Sequence, residues 1–251
     1  MKSTKQILNK LWKPLLKVIL KIISLNPNLY IVNDFKSSAD KESYSQFGQD
    51  VFVLKNIFKN KNNGFFVDVG ANHPIKINNT YLLELKGWKG LAIEPQQKLR
   101  DLWPQARKTE CLPYVIGPEN IKVDFVEGSE SEHELSGVKG FNKCQNDQNI
   151  VLIDQKTLSD ILMDKTINNI DYLSIDVEGY EMNVLKSIDF SKLNIKLIGI
   201  ENNIGFKNFP ILGEKLGSDL GNNNIRKFLN SKNYKYIARI ACDDFFIKNN
   251  I

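Results

Sequence analysis

Four short apolar runs in this 251-residue chain each carry an acid at or near their carboxyl end. Phe65–Val69 holds Asp68 and enters Gly70-Ala71-Asn72, and Gly90–Ile93 ends in Glu94-Pro95. Asp171–Ile175 ends in Asp176, and Ile195–Ile200 ends in Glu201-Asn202. Runs this short, bounded by turn residues, read as buried strands. Between them, Gln49–Lys59, Leu82–Lys86, Gln96–Ala106, Thr157–Met163 and Glu181–Ser187 carry the marks of helices. Cys111–Ile116 reads as a third strand and Ile121–Glu127 as a further, alternating one. Strands alternating with helices build a mostly parallel sheet with helices on both faces. Helix Asn223–Ser231 and the strands Tyr234–Ile240 and Asp244–Ile247 close the chain, and that last pair predicts an antiparallel edge.

Apolar residues make up 42% of the chain, enough to bury one core of ordinary size. The net charge of +5 is too mild to call for nucleic acid as a partner. Three scattered cysteines form neither a zinc pair nor a disulfide frame, which points to a reducing cytoplasm. The first 43 residues stand apart. Residues 7–23 are apolar, with Lys10, Lys13, Lys17 and Lys21 on one side of a helix that Pro14 kinks. A spanning helix needs about 20 apolar residues without such charges, and the lysines equally break the stretch a secretory signal requires. The segment is expected to pack on the domain or on a partner subunit of a homo-oligomer. Its alternative place is flat on a membrane surface, at the inner face. Residues 24–43 read as a polar linker, which leaves 44–251 as the working domain.

The motifs narrow the ligand. A glycine after the first strand lets the backbone approach a ligand at the carboxyl end of the sheet, although such a glycine more often marks only a turn. Glu94, 26 positions beyond Asp68 at the end of the next strand, adds weight. An acid at that place hydrogen-bonds ribose hydroxyls. The three spaced glycines of a dinucleotide fingerprint are missing, as is a phosphate-cradling loop. A ligand with a ribose and no phosphate fits best, and S-adenosylmethionine is such a ligand. Asp176, Glu178 and Glu181 then place three acids in six residues, more than helix capping needs. Asp176 and Glu201-Asn202, at neighbouring strand ends, could hold a divalent cation (Mg, Mn or Fe) or accept hydrogen bonds from a substrate.

As a set, Ser45-Gln46-Phe47-Gly48-Gln49-Asp50, Phe66–Pro74, Asn79-Thr80, Ile93-Glu94-Pro95, Ser174–Glu181 and Ile200-Glu201 resemble the FkbM family of methyltransferases over roughly residues 44–247. The resemblance implies a class I methyltransferase fold, Rossmann-like, and S-adenosylmethionine-dependent methylation of a hydroxyl group. It also implies a carbohydrate acceptor, a nucleotide-linked sugar or a surface-polysaccharide sugar. By position, Asp68, Gly70, Ala71 and Asn72 line the methionine part of the cofactor, with Gln46 and Gln49 closing that end. Glu94 holds the ribose and Ser136 meets the adenine. Asn79, Thr80 and Glu181 are expected at the substrate. Asp176 is the candidate base or metal ligand, with Glu178, Glu201 and Asn202 beside it. His73, one of two histidines, is a second candidate base or metal ligand, and His133 is expected to be solvated.

Two other classes stay open. An NAD-dependent oxidoreductase shares the acid after the second strand, and the missing third glycine counts against it. A noncatalytic interaction protein could keep the fold, and the intact Asp68, Gly70, Glu94 and Asp176 count against that. Loops 128–149 and 202–222 are where acceptor specificity is expected.

Overall fold

The structure, a computed structural model, describes residues 42–128, 135–141, 149–202 and 223–249. The basic segment 7–23, His133 and most of the two specificity loops lie outside them. Among the described residues no helix is long and apolar enough to cross a membrane.

The first half of the chain forms α1 (Gln49–Val51), β1 (Phe65–Val69), α2 (Tyr81–Leu85), β2 (Lys89–Ile93), α3 (Gln97–Arg100), α4 (Trp103–Ala106) and β3 (Glu110–Leu112). Two expected single elements are split here, each beside a proline. Gln96–Ala106 becomes α3 and α4 because Pro104 has no N–H to continue the first helix and starts the second. Cys111–Ile116 breaks at Pro113, which cannot donate to a ladder. The expected helix over Gln49–Lys59 is α-helical only at its start. Phe52–Ile57 continues it as a wider π-helix, and Phe52, Val53 and Leu54 are all buried.

A second, smaller sheet follows, made of β4 (Val115–Ile116), β5 (Ile121–Val126), β6 (Gly137–Val138) and β7 (Ile150–Lys156) in the order β4-β7-β5-β6. The sequence reading placed no strand at β7. The main fold resumes with α5 (Leu158–Asp164), β8 (Asn169–Ile175), α6 (Glu181–Lys186), β9 (Asn194–Glu201), α7 (Asn223–Ser231), β10 (Tyr234–Ile240) and β11 (Asp243–Lys248). Thr157 caps α5, its side chain accepting from the Asp160 N–H.

The main sheet has seven strands in the order β10-β11-β9-β8-β1-β2-β3. β9, β8, β1, β2 and β3 run parallel, as the alternating pattern predicts. The closing hairpin supplies the antiparallel part at the edge, with β11 inserted between β9 and β10. Both faces of the centre are covered. Val67, Val69, Leu173 and Ile198 pack into one apolar cluster, while Phe66, Tyr172 and Leu197 pack into the other. Burying each such side chain stabilises the fold by about 1.5–3 kcal/mol. The chain works outward from β1 to β3, then returns to start again at β8 on the other side of β1. Where strand order reverses in this way, a crevice opens at the carboxyl ends of the two strands.

Candidate active site

That crevice is a cavity of about 900 Å³, counting the solvent it opens to. Its floor is the turn Asp68–Asn72 after β1 together with Asp176 and Glu178 after β8. Glu94 and Gln96 flank it from the end of β2. The small sheet makes the opposite wall with Ile116, Phe125 and Val138.

Gly70 adopts φ +79°, and a Cβ there would lie 1.8 Å from the carbonyl oxygen of Asp176. The Asp176 N–H donates to Val69 at 3.0 Å, so that carbonyl is fixed. Glycine is therefore required here by the close approach of the two turns of the floor, and Gly70 also lines the cavity.

Glu94 is buried and clamped. Its Oε2 accepts the Asn72 N–H and its Oε1 the Gln96 N–H, both at 2.8 Å. A carboxylate oxygen has two lone pairs, and the Gln96 side chain also hydrogen-bonds to this carboxylate. Burial pushes the carboxyl up to about 7, against the opposing pull of those N–H groups, of the Gln96 side chain and of Arg100. Asn72 itself sits at φ +49°, a left-handed conformation that asparagine tolerates.

Asp68 is held from behind. Thr80, expected at the substrate, is fully enclosed, and its hydroxyl donates to Asp68 at 2.7 Å. Arg107 reaches the same hydroxyl and Asn78, and pairs with Glu84 at 2.6 Å. Burial still raises Asp68 above the ordinary carboxylate range. Thr80→Val keeps the shape and removes the donor. It is expected to cost about 1–3 kcal/mol of stability, read as a lower urea midpoint, and an unchanged midpoint would release Thr80 from this supporting role.

Asp176, Glu178 and Glu201 come together at the ends of β8 and β9, with carboxylate oxygens within 4.8 Å of one another. Burial drives the Asp176 carboxyl well up, and the like charges of Glu201, Glu178, Asp243 and Glu181 add to it. Glu178 stands at φ +54° and Gly179 at φ +107°, and Glu181 secures that turn by accepting the Gly179 N–H at 2.8 Å.

The other expected site residues divide between the cavity and its surroundings. Asn202 lies just past the end of β9. Its amide donates to Asp244 at 2.6 Å, inside an ion cluster with Arg226 and Arg239. His73 is absent from the carboxylate group, and its Nδ1 accepts the N–H groups of Ile75 and Lys76, which shapes the turn. Gln49 is buried and donates to Asp243 at 2.6 Å, whereas Gln46 faces the cavity. Asn79 and Ala71 also line it. Ser136 lines it too, accepting the Gly128 N–H and donating to Gln96.

Asp243 and Arg107 were missed by the sequence reading. Asp243 pairs in register with Glu201 across β11 and β9, and burial first, then Glu201, raises its carboxyl to about 7. The adjacent acids Asp243-Asp244 beginning a strand are the only local signal for it. Arg107 has no local signal at all.

The sequence profile described as the methyltransferase FkbM domain matches residues 68–236, more than half of the chain. No curated protein matches the sequence. Among solved structures, an O-methyltransferase from Bacillus cereus in complex with SAH is similar at 11% identity and a TM-score of 0.38, covering 84% of this chain and 86% of that one.

Proposed function

The chain belongs to the FkbM methyltransferase family, and on that premise we propose that it transfers a methyl group from S-adenosylmethionine to a hydroxyl of a sugar. The observation that carries the cofactor reading is Glu94, a buried carboxylate held by the Asn72 and Gln96 N–H groups where it lines the cavity. A ribose diol offers hydroxyl donors to such a carboxylate. The acidic floor of Asp68, Asp176 and Glu178 favours a ligand bearing a sulfonium and an ammonium and repels a pyrophosphate, which argues against a nicotinamide dinucleotide. In this reading Asp68–Asn72 and Gln46 face the methionine part, and Ser136 with the apolar wall faces the adenine. The sugar acceptor is what the family resemblance implies.

Bound S-adenosylmethionine would supply the methyl group, its carbon–sulfur bond breaking as the acceptor hydroxyl oxygen bonds to the methyl carbon, and Asp176 would take the hydroxyl proton. The raised carboxyl makes Asp176 a stronger base than an exposed aspartate. Asp176, Glu178 and Glu201 offer the hard oxygen donors that suit Mg or Mn. A cation held there would lower the pKa of the acceptor hydroxyl. Asn202, turned into the Asp244 cluster, is left out of that donor set. Glu181 and Thr80 act on the floor as supports, and Asn79 remains the candidate for substrate contact.

Calorimetric titration of metal-stripped protein with S-adenosylmethionine and SAH tests the reading. Micromolar binding of both is expected, and binding of NAD in their place would overturn it. The pH dependence is a sharper check. Glu94 accepts ribose hydroxyls best when ionised, and its carboxyl titrates near 7. SAH affinity should therefore fall by about ten-fold from pH 8 to pH 6. Glu94→Gln should bind more weakly and show a flat profile over that range. The same raised carboxyl favours folding below its unfolded value of 4.5 and loses that contribution as pH rises through 7. Loss of affinity at low pH thus cannot be ascribed to Glu94-linked unfolding.

A further inference from the structure

Ile77 stands at φ +50°, in the left-handed region. For a β-branched side chain this is a true outlier, because the Cβ branches crowd the backbone there. The turn around it is held by hydrogen bonds on both sides. Asn78 donates from its side chain to the carbonyls of Ala71 and His73 and from its backbone to Tyr44, while His73 accepts the N–H groups of Ile75 and Lys76. The strained residue is not compensated by burial, since Ile77 is 48% exposed. It lines the cavity between polar neighbours, with Asn79 on its own turn and Gln46 on the segment tied to it through Tyr44. Glycine or asparagine would adopt this backbone without strain. An apolar side chain held there against its own backbone preference gains nothing in folding, and it offers a dry contact to whatever enters the cavity.

We infer that Ile77 is a specificity-determining contact for the acceptor, meeting an apolar face or substituent of the hydroxyl compound while Asn79 meets its polar groups. This rests on the methyltransferase reading of the cavity. Asparagine at this position keeps the left-handed turn and removes the apolar surface, so Ile77→Asn separates contact from fold.

Wild type and Ile77→Asn, each loaded with SAH, are titrated calorimetrically with phenyl and methyl glycosides of one set of hexoses. In wild type, at least one phenyl glycoside should bind about ten-fold tighter than its methyl counterpart. In Ile77→Asn the two should come within about three-fold, with SAH affinity unchanged and an unfolding temperature equal to or above wild type. Absence of any phenyl preference in wild type, including no glycoside binding, would overturn the inference while SAH binding kept the cavity reading intact. So would a preference that survives in Ile77→Asn, or a clear drop in that variant's unfolding temperature, which would make Ile77 a packing residue. Failure of wild type to bind SAH would remove the cavity reading and the inference with it.

Discussion

Asp176→Asn is expected to lower turnover by about 10²–10⁴-fold, the usual contribution of a positioned base, while SAH affinity stays within a few-fold. The asparagine is the same size and keeps the backbone N–H that donates to Val69. It cannot take a proton from the acceptor. Stability should move the other way. Asp176 stands half-buried beside Glu201 and Glu178, and desolvation and those charges raise its carboxyl. An acid whose folded value is raised weakens the fold as pH climbs above its unfolded value, so its neutral isostere should unfold at a higher temperature at pH 7 in metal-stripped protein. Loss of activity together with gain of stability is the signature of a functional carboxylate. A variant with wild-type turnover would remove Asp176 from the reaction, and one that is inactive because it is less stable would make it a structural residue.

Gly70→Ala is expected to destabilise the unliganded protein by about 2–5 kcal/mol, adding the left-handed backbone penalty to the overpacking of a fixed neighbour. The methyl would meet the Asp176 carbonyl at 1.8 Å, and relief requires moving the turn that carries Asp176 and Glu178. Turnover and SAH affinity should fall with stability. Denaturation in the absence of ligand makes the distinction. If Gly70→Ala unfolds like wild type and loses only SAH affinity, the glycine serves ligand approach instead.

The strands of the main sheet were legible because each is a short apolar run bounded by turn residues, a signal contained in the run itself. The parallel order followed from helices between them. The split of Cys111–Ile116 had a visible cause in Pro113, yet local sequence does not say that the two halves join different sheets. β7 was missed although it opens on the apolar run Ile150–Ile153: three of its seven residues are exposed, Ile150 and Leu152 among them, and the run directly follows the polar stretch 128–149.

The site divides along the same line. Acids at the ends of β1, β2, β8 and β9 could be placed at one edge of the sheet from sequence alone, because parallel strands put all their carboxyl ends on one side. Sequence by itself thus determined the fold class and the carboxylates Asp68, Glu94, Asp176 and Glu201 as a group. Only the tertiary structure decided which neighbours act with them. Thr80 turned out to support Asp68, Asn202 to join the Asp244 cluster, and His73 to shape a turn. Asp243 reached Glu201 through the register of β11 on β9. These pairings join residues far apart in the chain, and a strand's register or a buried side chain's partner is set by packing across the fold, which no local pattern encodes.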